Sequence, residues 1–239
     1  MRVILARGAR SLDNIPVVTV HLATAADVKS KLNGVQNSET VDRQIDGIVT
    51  NQLAVALFAH RVFLVEGPTE SSVFYGVGDK TSIGSLEAAG LAIVSVGGKS
   101  SIPLVHAILT SIGIPVYALF DADGGFEARA VASGKCQKMI DDERRGHVAA
   151  NRSALKYFGL LQEDFPSAIV SQKVAIFDDH LESFITANWA EWDVACKTVE
   201  ADTGTKLSKN QLAYRTATGR ATGKVPSMLI EILNKAQGK

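Results

Sequence analysis

Cysteine is scarce. Cys136 and Cys196 are the only two among 239 residues, they stand far apart, and no C-x-x-C spacing occurs. That excludes a disulfide-built secreted scaffold and argues against a thiolate zinc site. Equally absent is any apolar run near the roughly 18 residues that a membrane-spanning helix needs. The opening stretch Met1-Arg2-Val3-Ile4-Leu5-Ala6 turns polar too soon for a signal peptide, so a cytoplasmic location is expected. There is no internal repeat, no low-complexity tract and no excess of either charge, with 25 Lys+Arg against 25 Asp+Glu. What is present is ordinary: 46% apolar and 21% charged residues, the composition of a globular chain with one large or two small cores.

The zero net charge conceals a division along the chain. From Lys206 to Lys239 seven basic residues (Lys206, Lys209, Arg215, Arg220, Lys224, Lys235, Lys239) face one acid, Glu231. That tail carries +6 and residues 1–205 carry −6. A metal-dependent enzyme acting on a polyanion needs such a division, with carboxylates for cations and Lys or Arg for phosphates. A solvated basic helix at the C-terminus accounts for the tail equally well.

The apolar runs Val3-Ile4-Leu5 and Val17-Val18-Thr19-Val20 predict short strands, followed by a helical stretch from about Ala25 to Ala59. From Arg61 the pattern changes to repeated strand, turn and helix. Strands are expected at residues 61–65, 91–96 and 115–120, and a fourth from Ala168 through Phe177, ending in Asp178-Asp179. Near-continuous apolar strands separated by helical spacing predict an α/β fold with a central, mainly parallel sheet flanked by helices. Residues 126–165 are polar and Ala-rich without strand signal, which predicts a helical insertion. Beyond about Leu181 the chain reads as helical, apart from a Gly/Thr-rich loop at Thr216–Lys224. The expected division is therefore an N-terminal segment (1–57), a main domain (58–125 with 166–239) and the insertion (126–165).

In an open α/β sheet the ligand site lies beyond the carboxyl ends of the strands. Three expected strands end there in acids. Val65-Glu66-Gly67-Pro68-Thr69-Glu70 closes one strand with Glu66 and turns at Gly67-Pro68, with Thr69 as expected helix cap and Glu70 in the first turn. Phe120-Asp121-Ala122-Asp123-Gly124-Gly125 places two acids at period-two spacing. After the fourth strand, Asp178 and Glu182 share one face if a helix starts there. Any one of these is explained as a helix cap. Together they repel one another unless cations neutralise them, and all-oxygen ligation points to Mg2+ or Mn2+ in a two-metal phosphoryl-transfer centre.

Glu66-Gly67-x-x-Glu70 after an apolar strand, with Asp121-x-Asp123 closing a later one, resembles the Toprim domain shared by primases, topoisomerases and OLD-family nucleases. The strings Leu64–Glu70, Ser95-Val96-Gly97-Gly98-Lys99-Ser100 and Leu119–Gly124 are most similar to the OLD (overcoming lysogenization defect) family. The resemblance covers about Phe58 to Glu182. It implies a Toprim fold, DNA as substrate and cleavage with two divalent cations. Glu66 and Glu70 match the first motif, Asp121 and Asp123 the second, and Asp178 and Glu182 a later acidic pair. Within that set Glu66 is the candidate for orienting or deprotonating water, and Lys224 matches the basic residue near the scissile phosphate. OLD proteins carry an N-terminal ABC-type ATPase. Here no Walker A motif is complete, because Val96-Gly97-Gly98-Lys99-Ser100 would need glycine where Ile93 stands. Residues 1–57 are then expected to be the trailing edge of that ATPase, with no nucleotide site in this chain. A homodimer would suit cutting of both strands on symmetry grounds.

Lys99 is expected in a βα turn near the metal site, within reach of a DNA phosphate. Trp189 and Trp192 are expected in the core, and His180 in a structural or solvent-exposed position rather than as a ligand. The basic residues of the insertion are interleaved with acids, so a mixed solvated face is expected there. Two other readings compete. Asp-x-Asp-Gly after a strand also resembles haloacid dehalogenase-type phosphatases, although about 120 residues precede it and Glu66 and Glu70 then have no task. A non-catalytic module whose acids hold structural cations is the other.

Overall fold

The computed structural model describes residues 2–10, 16–51, 53–204, 206–207 and 210–239. An antiparallel hairpin comes first, β1 (Arg2–Arg10) and β2 (Pro16–Thr24), paired from Arg2↔Thr24 to Arg10↔Pro16. The expected helical stretch is three helices, α1 (Ala25–Lys31), α2 (Ser38–Asn51) and α3 (Ala54–Phe58). Thr24 starts α1 as a reciprocal cap: its hydroxyl accepts from the Asp27 amide while the Asp27 carboxylate accepts from the Thr24 amide.

The main sheet follows. Its elements are β3 (Arg61–Val65), α4 (Pro68–Asp79), α5 (Ser85–Ala88), β4 (Leu91–Ser95), a 3-10 turn at Lys99–Ser101, α6 (Ile102–Ser111) and β5 (Val116–Asp121). Then come α7 (Phe126–Ala132), α8 (Gln137–Phe158), β6 (Ile169–Val170) and β7 (Val174–Phe177). The chain ends in α9 (Leu181–Asn188), α10 (Ala190–Thr203), α11 (Gln211–Arg220) and α12 (Ser227–Gln237). The strand order is β4-β3-β5-β7-β6, parallel throughout except for the edge strand β6. The mainly parallel sheet flanked by helices is as the apolar runs predicted.

Side chains alternate between the two faces of each strand. Val62, Leu64, Ala118, Phe120, Val174 and Ile176 pack with α1, α2, α6 and α8 in one core layer. Phe63, Val65, Tyr117, Leu119, Ala175 and Phe177 pack with α4, α9 and α12 in the other. Burial on both faces explains why these strands read as unbroken apolar runs. Val28, Leu32, Val41 and Leu53 of the leading segment share the first layer.

Three local expectations are corrected. The apolar run at 168–177 is two antiparallel strands, because the Ser171 hydroxyl accepts from the Lys173 and Val174 amides and turns the chain. The cap of α4 is Gly67, and Thr69 lies inside the helix. The fixed φ of Pro68 suits the first helical position, and the Glu70 carboxylate takes the free Gly67 N–H at 3.1 Å. Finally, Thr216–Arg220 is helical, so the Gly/Thr-rich loop shrinks to residues 221–226. Asn210 caps α11, and Ala213, Ala217 and Thr218 are buried, which outweighs the weak helix propensity of threonine and glycine.

Candidate active site

Parallel pairing brings the carboxyl ends of β3, β5 and β7 to one edge, with Asp121 opposite Phe177. The turns beyond are tied together by backbone. Ala122 N–H donates to Phe177 O, Asp123 N–H to Asp179 O and Gly124 N–H to Asp178 O. This stitching holds Asp123 at φ 58, in the left-handed region that non-glycine residues rarely occupy.

Glu66 is a clamp between strands. One carboxylate oxygen accepts from the Asp121 amide at 2.7 Å and the other from the Lys99 amide at 3.0 Å. Burial pushes its carboxyl up to about 7, against the opposing pull of Lys99 and the Asp121 amide. Burial also raises Glu70, which is only 8% exposed, and the neighbouring Glu182 adds to the rise. Asp121 is the most perturbed of the set. Burial, reinforced by Glu66, Glu70, Glu182 and Asp123, pushes it up to about 9, and its buried Oδ1 has no hydrogen-bond partner.

Asp123 differs from these three. Its carboxylate meets the Lys99 ammonium at 2.5 Å and His147 Nδ1 at 3.0 Å, with Arg129 at 3.9 Å. Lys99 is itself buried, 6% exposed, and also donates to the Asp121 carbonyl and to Asn151 Oδ1. The expected contact between Lys99 and DNA phosphate is therefore corrected: its ammonium lies inside the protein. Nor was Asn151 foreseen, since an asparagine in a polar helix gives no signal of full burial.

The remaining expected residues are less closely engaged. Glu182 sits in the first turn of α9 with His180 at 3.7 Å, and it is near enough to Glu70 and Asp121 to raise both. His180 caps α9 through Nδ1, the structural role anticipated. Asp178 is exposed, whereas its neighbour Asp179 is bound by Arg129 and the Gly125 amide. Burial works upward on Asp179, and those hydrogen bonds outweigh it to hold the carboxyl below the usual range. Lys224 is exposed in the 221–226 connection, and its neighbour Gly223 lies against Glu191 of α10. Trp189 and Trp192 are buried, as expected, with their N–H groups on Thr222 O and Thr218 Oγ1. The insertion carries internal ion pairs, among them Arg144–Glu127 and Lys135–Glu143. Part of the basic tail is also engaged internally: Arg215 grips Asp79 and Glu87, and Arg220 lies 3.4 Å from Asp202.

Among the described residues no three His, Cys, Asp or Glu side chains converge tightly enough to hold a metal ion as they stand. The donor set nonetheless fits a hard divalent cation. Burial raises Glu66, Glu70 and Asp121; Glu66, Glu70 and Glu182 all oppose the ionisation of Asp121, and Asp121 Oδ1 is a buried oxygen without a donor. Oxygen ligands and unrelieved negative charge are what Mg2+ or Mn2+ requires.

A mainly parallel sheet with Glu66 and Glu70 after one strand and Asp121 and Asp123 at the end of its neighbour in the sheet is the Toprim arrangement. Residues 57–123 match the family described as overcoming lysogenization defect protein-like, TOPRIM domain. It is similar to the Old nuclease of Escherichia phage P2, 32% identical over 115 residues. That match takes in 43% of this chain and only 20% of the relative's length. Among solved structures it resembles the C-terminal region of the Burkholderia pseudomallei OLD protein, at 17% identity over 76% of this chain and 98% of that one, with a TM-score of 0.49. It also resembles that of the Xanthomonas campestris pv. campestris OLD protein, at 15% identity over 77% and 95%, with a TM-score of 0.47. Among the described residues no helix is long and apolar enough to cross a membrane.

Proposed function

We propose that this chain is the catalytic region of a metal-dependent DNA endonuclease that hydrolyses phosphodiester bonds. The observation that carries the reading is the buried Asp121, with its unpartnered oxygen, among Glu66, Glu70 and Glu182 at the carboxyl edge. Glu66, Glu70, Asp121, Asp123, Asp178 and Glu182 are the residues that would hold the divalent cations. Bound there, the cations supply Lewis-acid polarisation and offset the charge that develops on a transferring phosphoryl group.

The chain's own residues do the rest. Glu66 fixes the spacing between the β4 and β5 turns, which places its carboxylate at the edge where it can orient or deprotonate the attacking water. Lys224, exposed in a short connection, offers positive charge to a phosphate. Residues 1–57 lead into this region from a preceding ATPase domain, the part of the proposal that a longer sequence of the same gene tests.

Incubation with supercoiled plasmid in Mg2+, Mn2+ or EDTA tests the activity, alongside Asp121→Ala and Glu70→Ala proteins and an aryl phosphate substrate. Metal-dependent nicking lost in both variants is the expected result. Phosphate release that needs Asp121 but tolerates loss of Glu70, without nicking, would place the chain among phosphatases. Stabilisation by Mn2+ without turnover on either substrate would leave a metal-binding module.

A further inference from the structure

The Gly97-Gly98-Lys99-Ser100 turn contributes no ligand to the proposed centre, yet it is built with care. Gly97 and Gly98 lie at φ 77 and φ 123, conformations that only glycine adopts freely, and both amides close onto Glu66 O. The result is that Lys99 meets the first motif through its backbone and the second through its side chain. Its amide donates to Glu66 Oε2, and its ammonium reaches Asp121 O, Asp123 Oδ2 and Asn151 Oδ1. Asn151, fully buried on α8, then donates to Ala122 O and Asp164 O. An ammonium has three protons, and here each has an acceptor. A buried lysine costs desolvation unless it is paired, so this arrangement is a fixed positive charge inside a nest of carboxylates.

We propose that Lys99 is an internal cation of the active centre: a positioning residue that holds the Asp121–Asp123 turn and competes with a divalent cation for Asp123. The inference rests on the metal-dependent reading above and deepens it. In the metal-free protein Lys99 neutralises Asp123, while Asp121, Glu66 and Glu70 keep no such partner and are left for the incoming ion. Entry of a cation beside Asp123 draws that carboxylate away from the ammonium. The fixed charge thus weakens cation binding by repulsion, and in exchange keeps the turn in register for catalysis.

A lysine with a purely architectural role predicts that its loss weakens both cation binding and cleavage. Competition predicts that the two move in opposite directions. In the folded Lys99→Gln protein, which keeps a donor and removes the charge, Mn2+ titration followed by the resonance of the free ion should show binding at least about threefold tighter than in the wild type. Cleavage at saturating cation should fall at least about tenfold. Equal or weaker Mn2+ binding by the folded variant overturns the proposal while leaving the nuclease reading intact, whereas a wild-type protein that binds no Mn2+ overturns both. A second measurement needs no variant fold. The Lys99 side-chain nitrogen resonance of the wild-type protein should move when Mg2+ saturates the site, and a resonance that stays in place while Mg2+ binds overturns the competition.

Discussion

The two ends of α4 handle charge in opposite ways. At its C-terminal end Asp79 receives Arg215 Nε at 2.5 Å and Nη2 at 2.7 Å, a two-pronged pair with Glu87 adding a third contact and Tyr75 stacked 4.8 Å beneath the guanidinium. The Arg215 hydrogen bonds, against a smaller effect of burial, hold the Asp79 carboxyl below its ordinary range. At the N-terminal end, within three turns of the same helix, Glu70 faces Glu66, Asp121 and Glu182, and burial drives carboxyls upward. One end answers each charge from within the chain. The other gathers like charges and leaves a buried oxygen without a donor, the signature of a site completed from outside.

The sharpest way to break that contrast is Asp121→Asn. If the N-terminal end is a functional centre, cleavage should fall by about a thousandfold or more, because the substitution removes the central ligand. The metal-free protein should be about as stable as the wild type near neutral pH, because the Asp121 carboxyl, pushed up to about 9, already holds its proton there and the amide replaces a neutral group. Plasmid nicking beside a thermal unfolding curve checks both. A variant that cuts normally, or one that unfolds ten degrees early, would falsify the idea that this end is kept under electrostatic tension for function.

The next largest effect is on pH. Glu66 has its carboxyl raised from the ordinary 4.5 to about 7 in the folded chain, so between those values the native state holds a proton that the unfolded state has released. The native state binds more protons there, and stability therefore falls as pH rises through that window. Glu66 alone accounts for about 3 kcal/mol, with Asp121 acting in the same direction at higher pH. The unfolding midpoint of the metal-free protein should drop between pH 5 and pH 8, and saturating Mn2+ should flatten the drop. Asp79, lowered by Arg215, has the opposite sign, and its contribution is lost only as pH falls below the ordinary carboxylate range.

The sequence displayed the functional end better than the structural one, and the reason is physical. A carboxylate placed after an apolar strand is visible because it interrupts a run, so Glu66, Asp121 and Asp178 could be assigned to the carboxyl edge from pattern alone. Their partners could not. Lys99 and Asn151 meet through a separation of 52 positions, and nothing local marks either as buried. The Asp79–Arg215 pair spans 136 positions and was hidden in a basic tail that composition reads equally well as a polyanion-binding segment or a solvated helix. The helical stretch at 216–220 was likewise missed because its stability comes from packing on α4 and not from its own residues.

Arg215→Ala tests the structural end. Removing the guanidinium leaves Asp79, with a side chain 13% exposed, without its charged partner and with only the Gly84 amide donating to it, and unfolding should become easier by about 2 kcal/mol after allowing for the partial exposure of the pair. Cleavage per folded molecule should hold at the wild-type level. A large loss of nicking with the fold intact would instead mean that Arg215 of the basic tail serves the substrate.

Gly76→Ala gives the smallest effect and the finest test of how separate the two ends are. Gly76 lies in the last turn of α4, where a methyl group would stand 2.5 Å from Thr218 Cβ and 2.6 Å from the Arg215 carbonyl, so α11 must move by about an ångström. Overpacking of this kind costs about 2 kcal/mol, and roughly 1 is returned because alanine favours the helix that glycine disfavours. The net loss should be about 1 kcal/mol, read as a small fall in the unfolding midpoint. If α4 is a rigid strut, the displacement is absorbed by α11 and the cation affinity at the Glu70 end stays within about twofold of the wild type. If Mn2+ binding weakens tenfold while the fold survives, the two ends are mechanically one unit, and the ion pair at Asp79 sets the position of Glu70.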